Sequence, residues 1–340
     1  MNSSIKHSFH SCRPQLVIVG TGGTIAGHSH TAGDHVGYTA GQIRAKDLLA
    51  PLAPVLATRL EGFEVLAEQL AQLDSKDMDE RTWTQLAQRV NEWLADDSVA
   101  GIVITHGTDT IEETAYWVHR VVAPTKPVVL TCAMRPANAL GADGPQNLFD
   151  ALTVASTAAA AGVWVVVAGA IHHPVWVSKV HPYRLDAFQS MNVGAAGWIE
   201  EGRVRWGMSM PESTSSLTAR APMRVPDGPW PRVEVLFSHG GASEAMLRSV
   251  LTNAGEDAPL RGLVVVGTGN GTIHHAWTDL LQQAQANGVQ IWRTSRCADG
   301  VVVVATDGKE EIPSVGLSPF KARIEMVLHL TQKDTESRSA

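Results

Sequence analysis

The chain has 340 residues, of which 44% are hydrophobic and 18% charged, which is enough for two domains with cores of their own and typical of an ordinary globular protein. A net charge of −7, from 34 acidic and 27 basic residues without a basic stripe, disfavours nucleic acid as the main partner, since phosphate binding needs clustered Lys and Arg. No run approaches the roughly 20 apolar residues that span a bilayer, so no membrane partner is expected.

The polar segment from Met1 to Pro14 lacks the apolar stretch of a leader peptide, and the first hydrophobic run feeds a glycine loop that cleavage would destroy, so a cytoplasmic location is expected. Cys12, Cys132 and Cys297 are odd in number and widely spaced, which fits a reducing compartment better than a disulfide framework. Fourteen histidines are scattered, with no His-x-x-x-His on a helical pattern, so neither a metal nor another cofactor is expected.

In chain order, apolar runs predict strands at 15–20, 100–105, 127–132 and 163–168, with helical patterns at about 79–96, 110–122 and 145–161 between them. Residues 28–37 carry Gly, His, Ser and Asp without hydrophobic periodicity and read as a surface loop placed to act as a lid. Five prolines between 211 and 231 mark an interdomain linker. A second unit follows, with strands near 233–237, 262–267 and 289–293 and helices near 243–254, 272–287 and 319–331. The expected architecture is therefore α/β, a larger N-terminal domain (1–205) with a mostly parallel sheet, a linker (206–231), and a smaller C-terminal α/β domain (232–340).

Two runs carry the chemistry. Gly20-Thr21-Gly22-Gly23-Thr24-Ile25-Ala26-Gly27 follows the first strand, and Thr105-His106-Gly107-Thr108-Asp109-Thr110 follows the second. Both sit at the carboxyl end of a buried strand, where open α/β sheets bind ligands because the chain leaves backbone N–H groups unpaired there. Taken singly, the first could be a plain turn and the second a helix cap. Gly20-x-Gly22-Gly23 is out of register for a dinucleotide loop, and no Gly-Lys-Ser/Thr follows.

In this order and separation the two runs resemble the bacterial-type L-asparaginases of the asparaginase/glutaminase family. The likeness extends through Ser75-Lys76-Asp77-Met78, Ala133-Met134-Arg135-Pro136, Ala142-Asp143-Gly144-Pro145 with Asn147-Leu148, and Gly267-Thr268-Gly269-Asn270-Gly271. The resemblance implies hydrolysis of L-asparagine to L-aspartate and ammonia, with weaker action on L-glutamine. It implies Thr24 as the acylated nucleophile, Thr108 as the second catalytic threonine, Lys179 as the catalytic lysine held by Asp109, and Tyr38 as the lid tyrosine. Backbone N–H groups around Gly23 and Thr24 are the expected oxyanion donors, because glycine lets the backbone approach the ligand. A small zwitterionic substrate needs a carboxylate for its ammonium, for which Asp109 is the candidate, and donors for its carboxylate, for which Ser75 and its loop are candidates. The family also implies a homo-oligomer, a dimer of dimers in which the C-terminal domain acts in trans.

The chain departs from the family pattern at three places. Lys76 stands where Gln is frequent, and could either pair with the substrate carboxylate or point to solvent. Thr272 replaces a second Asn. The cross-subunit glutamate has no clear counterpart, Glu310 and Glu311 being the nearest acids. Two rival readings are a non-catalytic amino-acid-binding module, which predicts loss of a catalytic hydroxyl or of the lysine, and a tRNA-dependent amidotransferase subunit, which calls for an extra N-terminal domain and a surface for RNA. Thr24, Thr108, Asp109 and Lys179 are all present.

Overall fold

A computed structural model describes residues 13–122, 124–207, 222–252, 259–305 and 310–339. Cys12, most of the polar N-terminal segment and the centre of the proline-rich stretch lie outside them.

The first strand, β1 (Gln15–Gly22), is a continuous apolar run because it is covered on both faces, and Leu16 through Val19 are fully buried. A two-residue ladder, β2 (His28–Ser29) with β3 (Tyr38–Thr39), follows, then α1 (Ala53–Arg59), β4 (Glu64–Leu73) and α2 (Glu80–Leu94). Asp79 caps α2 by accepting the Thr82 N–H at 2.7 Å, and the helix buries Trp83, Leu86, Ala87 and Val90, the i, i+3, i+4, i+7 stripe of an amphipathic helix. The chain continues through β5 (Val99–Thr105), α3 (Ile111–Val121), β6 (Pro127–Thr131), α4 (Gly144–Ala155), β7 (Gly162–Val167) and β8 (Ala170–His172). A second small ladder pairs β9 (Val177–Lys179) with β10 (Phe188–Ser190), and β11 (Gly197–Glu200) and β12 (Arg203–Trp206) complete the domain.

The main sheet runs β12-β11-β8-β7-β6-β5-β1-β4, parallel from β7 to β4 and antiparallel at the other margin. From β1 the chain goes outward to the edge strand β4 and then returns to β5 on the other side. The winding reverses between β1 and β5, so their carboxyl ends open into a crevice. That topology places the Thr24 and Thr108 loops side by side.

In the second unit, β13 (Arg232–Phe237), β14 (Leu260–Gly267) and β15 (Gln290–Ser295) form a parallel sheet, flanked by α5 (Glu244–Thr252), α6 (Thr278–Ala286) and α7 (Pro319–Ser339). The two-domain α/β architecture read from the sequence is thus the observed one. Differences are local. The helix expected at 145–161 stops at Ala155 before a 3-10 turn, the one expected from 272 begins at Thr278, and the last one runs on to Ser339. The part of the proline-rich stretch nearest the second unit is packed rather than loose: Trp230 stacks on Trp117 at 4.6 Å and on Trp83 at 5.7 Å, and the Met223 N–H bonds the Arg120 carbonyl at 2.8 Å.

The core crosses between the two units. Ala322, Ile324, Met326, Val327 and Leu328 of α7 belong to the same buried cluster as Trp83, Trp117 and the strand residues of the main sheet. Within it, Arg120 of α3 makes a bidentate pair with Glu325 of α7, at 2.7 and 3.0 Å, and Tyr116 donates to the same carboxylate at 2.9 Å.

Candidate active site

Three loops converge at the crevice. At the end of β1, Gly22 and Gly23 have φ of 108° and 80°, a region that side chains disfavour, and a Cβ on Gly23 would lie 2.3 Å from the backbone of Gly107. A Cβ on Gly107 would in turn lie 2.5 Å from the Ser75 Oγ. Glycine at both positions lets the loops of Thr24 and Thr108 touch backbone to backbone, with the Ser75 side chain packed against them.

Thr24 opens a 3-10 turn and is 5% exposed. Its Oγ1 lies 2.6 Å from the Tyr38 hydroxyl. Burial raises the Tyr38 pKa above its ordinary value, outweighing the bond to Thr24, so Tyr38 is a phenol at neutral pH. The segment before Tyr38, expected to act as a lid, is tied down from outside: Asn138 accepts the Ser29 N–H at 2.9 Å and donates to the Ser29 carbonyl at 2.7 Å.

The second arm follows β5. Trp83 Nε1 donates to Thr114 Oγ1 (2.8 Å), Thr114 Oγ1 lies 2.9 Å from His106 Nε2, and His106 Nδ1 lies 2.8 Å from the Gly107 carbonyl. The carbonyl can only accept, so Nδ1 carries the proton and Nε2 accepts from Thr114. Burial lowers the His106 pKa to about 4, which keeps this chain neutral and fixes the peptide just before Thr108.

Lys179 joins the arm from β9. Its Nζ donates to Thr108 Oγ1 at 2.8 Å and to Asp109 Oδ1 at 2.6 Å, while Thr108 Oγ1 lies 3.3 Å from the same carboxylate oxygen. The Lys179 side chain is 16% exposed and that of Asp109 53%, so the carboxylate faces the opening. Ser75, 1% exposed, accepts the Asp109 N–H on its Oγ at 3.2 Å, and its carbonyl accepts from Thr110 Oγ1 at 2.7 Å. Its own O–H remains available as a donor.

Two expectations meet a different geometry. The Gly23 N–H is used by the Leu73 carbonyl at 2.9 Å and cannot serve an oxyanion, which leaves the Thr24 N–H, at the start of a turn that supplies it no internal partner. Lys76 holds Asp74 and Asp77 at 2.9 and 3.0 Å with 61% of its side chain exposed; of the two alternatives, it takes the one facing solvent. Glu310 is bound to Arg293 at 2.6 Å and accepts the Ser314 N–H, so it is committed within its own domain. The Thr272 hydroxyl bonds Thr268, and Asn270 makes two bonds to the Val303 backbone.

Sequence reasoning missed Glu112, which takes the Lys179 N–H at 2.8 Å, and the His106 relay. The Asp143 signature turns out to be scaffolding. Its carboxylate accepts the Met134 and Arg135 N–H groups at 2.9 Å each, fixing the loop after β6. Among the described residues no group of three His, Cys, Asp or Glu is arranged to hold a metal ion, and no helix is long and apolar enough to cross a membrane.

A doubly wound sheet presenting two threonine loops at its switch point, followed by a smaller parallel-sheet unit, defines a two-domain α/β protein with a crevice placed for a small ligand. The chain belongs to the asparaginase/glutaminase family: residues 15–211 match the asparaginase N-terminal domain and residues 232–339 the glutaminase/asparaginase C-terminal domain. It is 35% identical to a probable periplasmic L-asparaginase of Haemophilus influenzae, over 94% of this chain and 89% of that one. It is 33% identical to a glutaminase-asparaginase of Pseudomonas fluorescens, over 93% and 86% of the two chains. A crystal structure of a probable cytoplasmic L-asparaginase from Campylobacter jejuni superposes with a TM-score of 0.80 at 32% identity, covering 94% of this chain and 95% of that one.

Proposed function

We propose that this protein hydrolyses L-asparagine to L-aspartate and ammonia, with weaker action on L-glutamine, through an acyl-enzyme on Thr24. The observation that carries the reading is the Lys179 Nζ bonded to both Thr108 Oγ1 and Asp109 Oδ1, on a loop in backbone contact with that of Thr24. The substrate ammonium would pair with the outward-facing Asp109 carboxylate, and the substrate carboxylate would take the Ser75 O–H. Held at both charged ends, only the side-chain amide is left to meet the nucleophile.

The Thr24 oxygen then bonds the amide carbon, the C–N bond breaks, and the hydroxyl proton leaves with the departing ammonia. Tyr38 orients the nucleophile through its 2.6 Å bond, and the Thr24 N–H faces the developing oxyanion. Water cleaves the ester in the second step, giving its proton through Thr108 and Lys179 and returning Thr24 to its hydroxyl form.

A homo-oligomer in which the C-terminal unit of a second copy completes the site is part of the same reading and rests on family membership. A cytoplasmic location is part of the same reading, and the free thiols of Cys132 and Cys297 among the described residues are compatible with it.

The test is ammonia release from separate L-asparagine and L-glutamine solutions at neutral pH, by the parent and by Thr24→Ala and Thr108→Val. Rapid release from asparagine by the parent and none by folded variants is expected. Substantial turnover by either variant, or none by the parent, would overturn the assignment.

A further inference from the structure

Lys179 lies on a strand that the main sheet does not fix. β9 is three residues long and pairs only with β10, in a ladder separate from the eight-stranded sheet. A group that must stay within hydrogen-bond reach of both Thr108 and Asp109 therefore rests on a strand with few ladder bonds of its own. The backbone around it is gripped by side chains instead. Glu112 of α3 takes the Lys179 N–H at 2.8 Å. From the other unit, Lys321 of α7 sends its Nζ to the Val175 carbonyl at 3.1 Å and to the Val177 carbonyl, two residues before Lys179.

Lys321 is an unusual residue to find there. It is 1% exposed, among the largest fully buried side chains, and sits in the first turn of its helix, where the dipole opposes a positive charge. Burial brings its pKa down to about 8, against the pull of the Glu112 and Glu113 carboxylates. An apolar side chain could fill the same space without the cost of desolvating an ammonium, so the donors are what distinguishes lysine at this position. Those donors end on the strand of the catalytic lysine.

We infer that Lys321 is a positioning residue through which the C-terminal unit sets the place of Lys179 against Thr108. The inference rests on the catalytic role of Lys179 proposed above. Lys321 touches no substrate; it acts by fixing the Val175 and Val177 carbonyls, and with Glu112 it defines the strand from both sides. The C-terminal helix thereby contributes to catalysis within its own chain.

The experiment compares Lys321→Met, which keeps the stem and removes the donors, with Lys321→Arg, which keeps charge and donors, in the full chain with L-asparagine. For Lys321→Met, kcat should fall about 10- to 100-fold with KM within about threefold, the scale of an ångström-level misplacement of a reacting group. Lys321→Arg should lie between it and the parent. In a Lys179→Arg background, which keeps a cation and measurable turnover, the Lys321→Met effect should shrink, because the two act on the same step. An unchanged kcat in folded Lys321→Met, or an equal loss in the parent and Lys179→Arg backgrounds, would overturn the inference. If Lys321→Met fails to fold, Lys321→Gln, whose shorter side chain cannot reach both carbonyls, decides: lowered kcat at unchanged KM supports the role, and parental kcat with a lowered melting temperature refutes it. Full activity in Lys179→Met alone would refute the site reading itself, whereas a dead Lys179→Met beside a fully active Lys321→Met refutes only the positioning role.

Discussion

Replacing Arg120 by Met removes one side of the buried pair that ties α3 to α7. The Arg120 side chain is 4% exposed and that of Glu325 10%, and the two bonds between them measure 2.7 and 3.0 Å. Without the guanidinium, the buried carboxylate loses its bidentate partner, and losing one partner of such a pair costs about 3–5 kcal/mol. With an unfolding entropy of about 2.1 cal/mol/K per residue, a chain of this length has roughly 0.7 kcal/mol/K, so the melting temperature should drop by about 4–7 °C. Circular dichroism at 222 nm against temperature reads this directly. The double variant Arg120→Met/Glu325→Met should regain most of the loss, because both charges of the pair leave the core together. A single variant melting within 1 °C of the parent, or a double variant no better than the single, would refute the premise that this pair is desolvated and mutually dependent.

Tyr38→Phe deletes the 2.6 Å partner of Thr24 and should lower kcat by about 10²-fold or more with little change in melting temperature; steady-state ammonia release against a parental rate would show the bond to be idle. Gly23→Ala forces a Cβ against the Gly107 backbone at 2.3 Å and a side chain into a φ of 80°, so activity should vanish and stability fall by at least about 1–2 kcal/mol. Full turnover in that variant would mean that the loops can separate. Burial lowers the His173 pKa to about 3, below its ordinary value, so the unfolded chain binds a proton there that the native one does not, and stability is lost as pH falls from about 6.5 towards 3. His173→Asn keeps an acceptor for the Val175 N–H and removes this loss; relative to the parent it should gain about 1.4 kcal/mol per pH unit below 6.5, measured by urea unfolding, and a pH-independent difference would contradict the assignment.

Most parallel strands were legible as apolar, largely β-branched runs, and both threonine loops because glycines follow the carboxyl ends of β1 and β5. Edge strand β4 was not. Its sequence, Glu-Val-Leu-Ala-Glu-Gln-Leu-Ala-Gln-Leu, carries no strand alternation, and its Glu68 is tolerated because Arg89 and Trp93 bond it from α2. The short strands β8 to β12 are too brief for periodicity to register. Lys179 was visible only through family likeness, since a lysine after Val-Ser looks solvated and its partners lie about 70 residues away in the chain. Whether Gly23 could offer its N–H depended on the Leu73 carbonyl, a tertiary partner that local sequence does not announce. The solvent-facing choice of Lys76 was open for a related reason: both alternatives were chemically sound, and only the placement of Asp74 and Asp77 decides between them.

The backbone contact between Gly23 and Gly107 bears on how such a site can change its diet. An amide one methylene longer needs more distance between the atom that attacks and the groups that hold the ammonium and carboxylate. In the proposed site those groups sit on loops whose backbones already meet at Gly23 and Gly107, and the one side chain at that junction, Ser75, is the hydroxyl proposed to hold the substrate carboxylate. Shortening a side chain is the usual way to enlarge a pocket, and glycine has none to shorten. Any broadening from asparagine toward glutamine is therefore expected from residues outside that junction, such as the segment that carries Tyr38 and the Asn138 that ties it down, and engineers seeking to shift that preference should leave the glycine junction alone and work there.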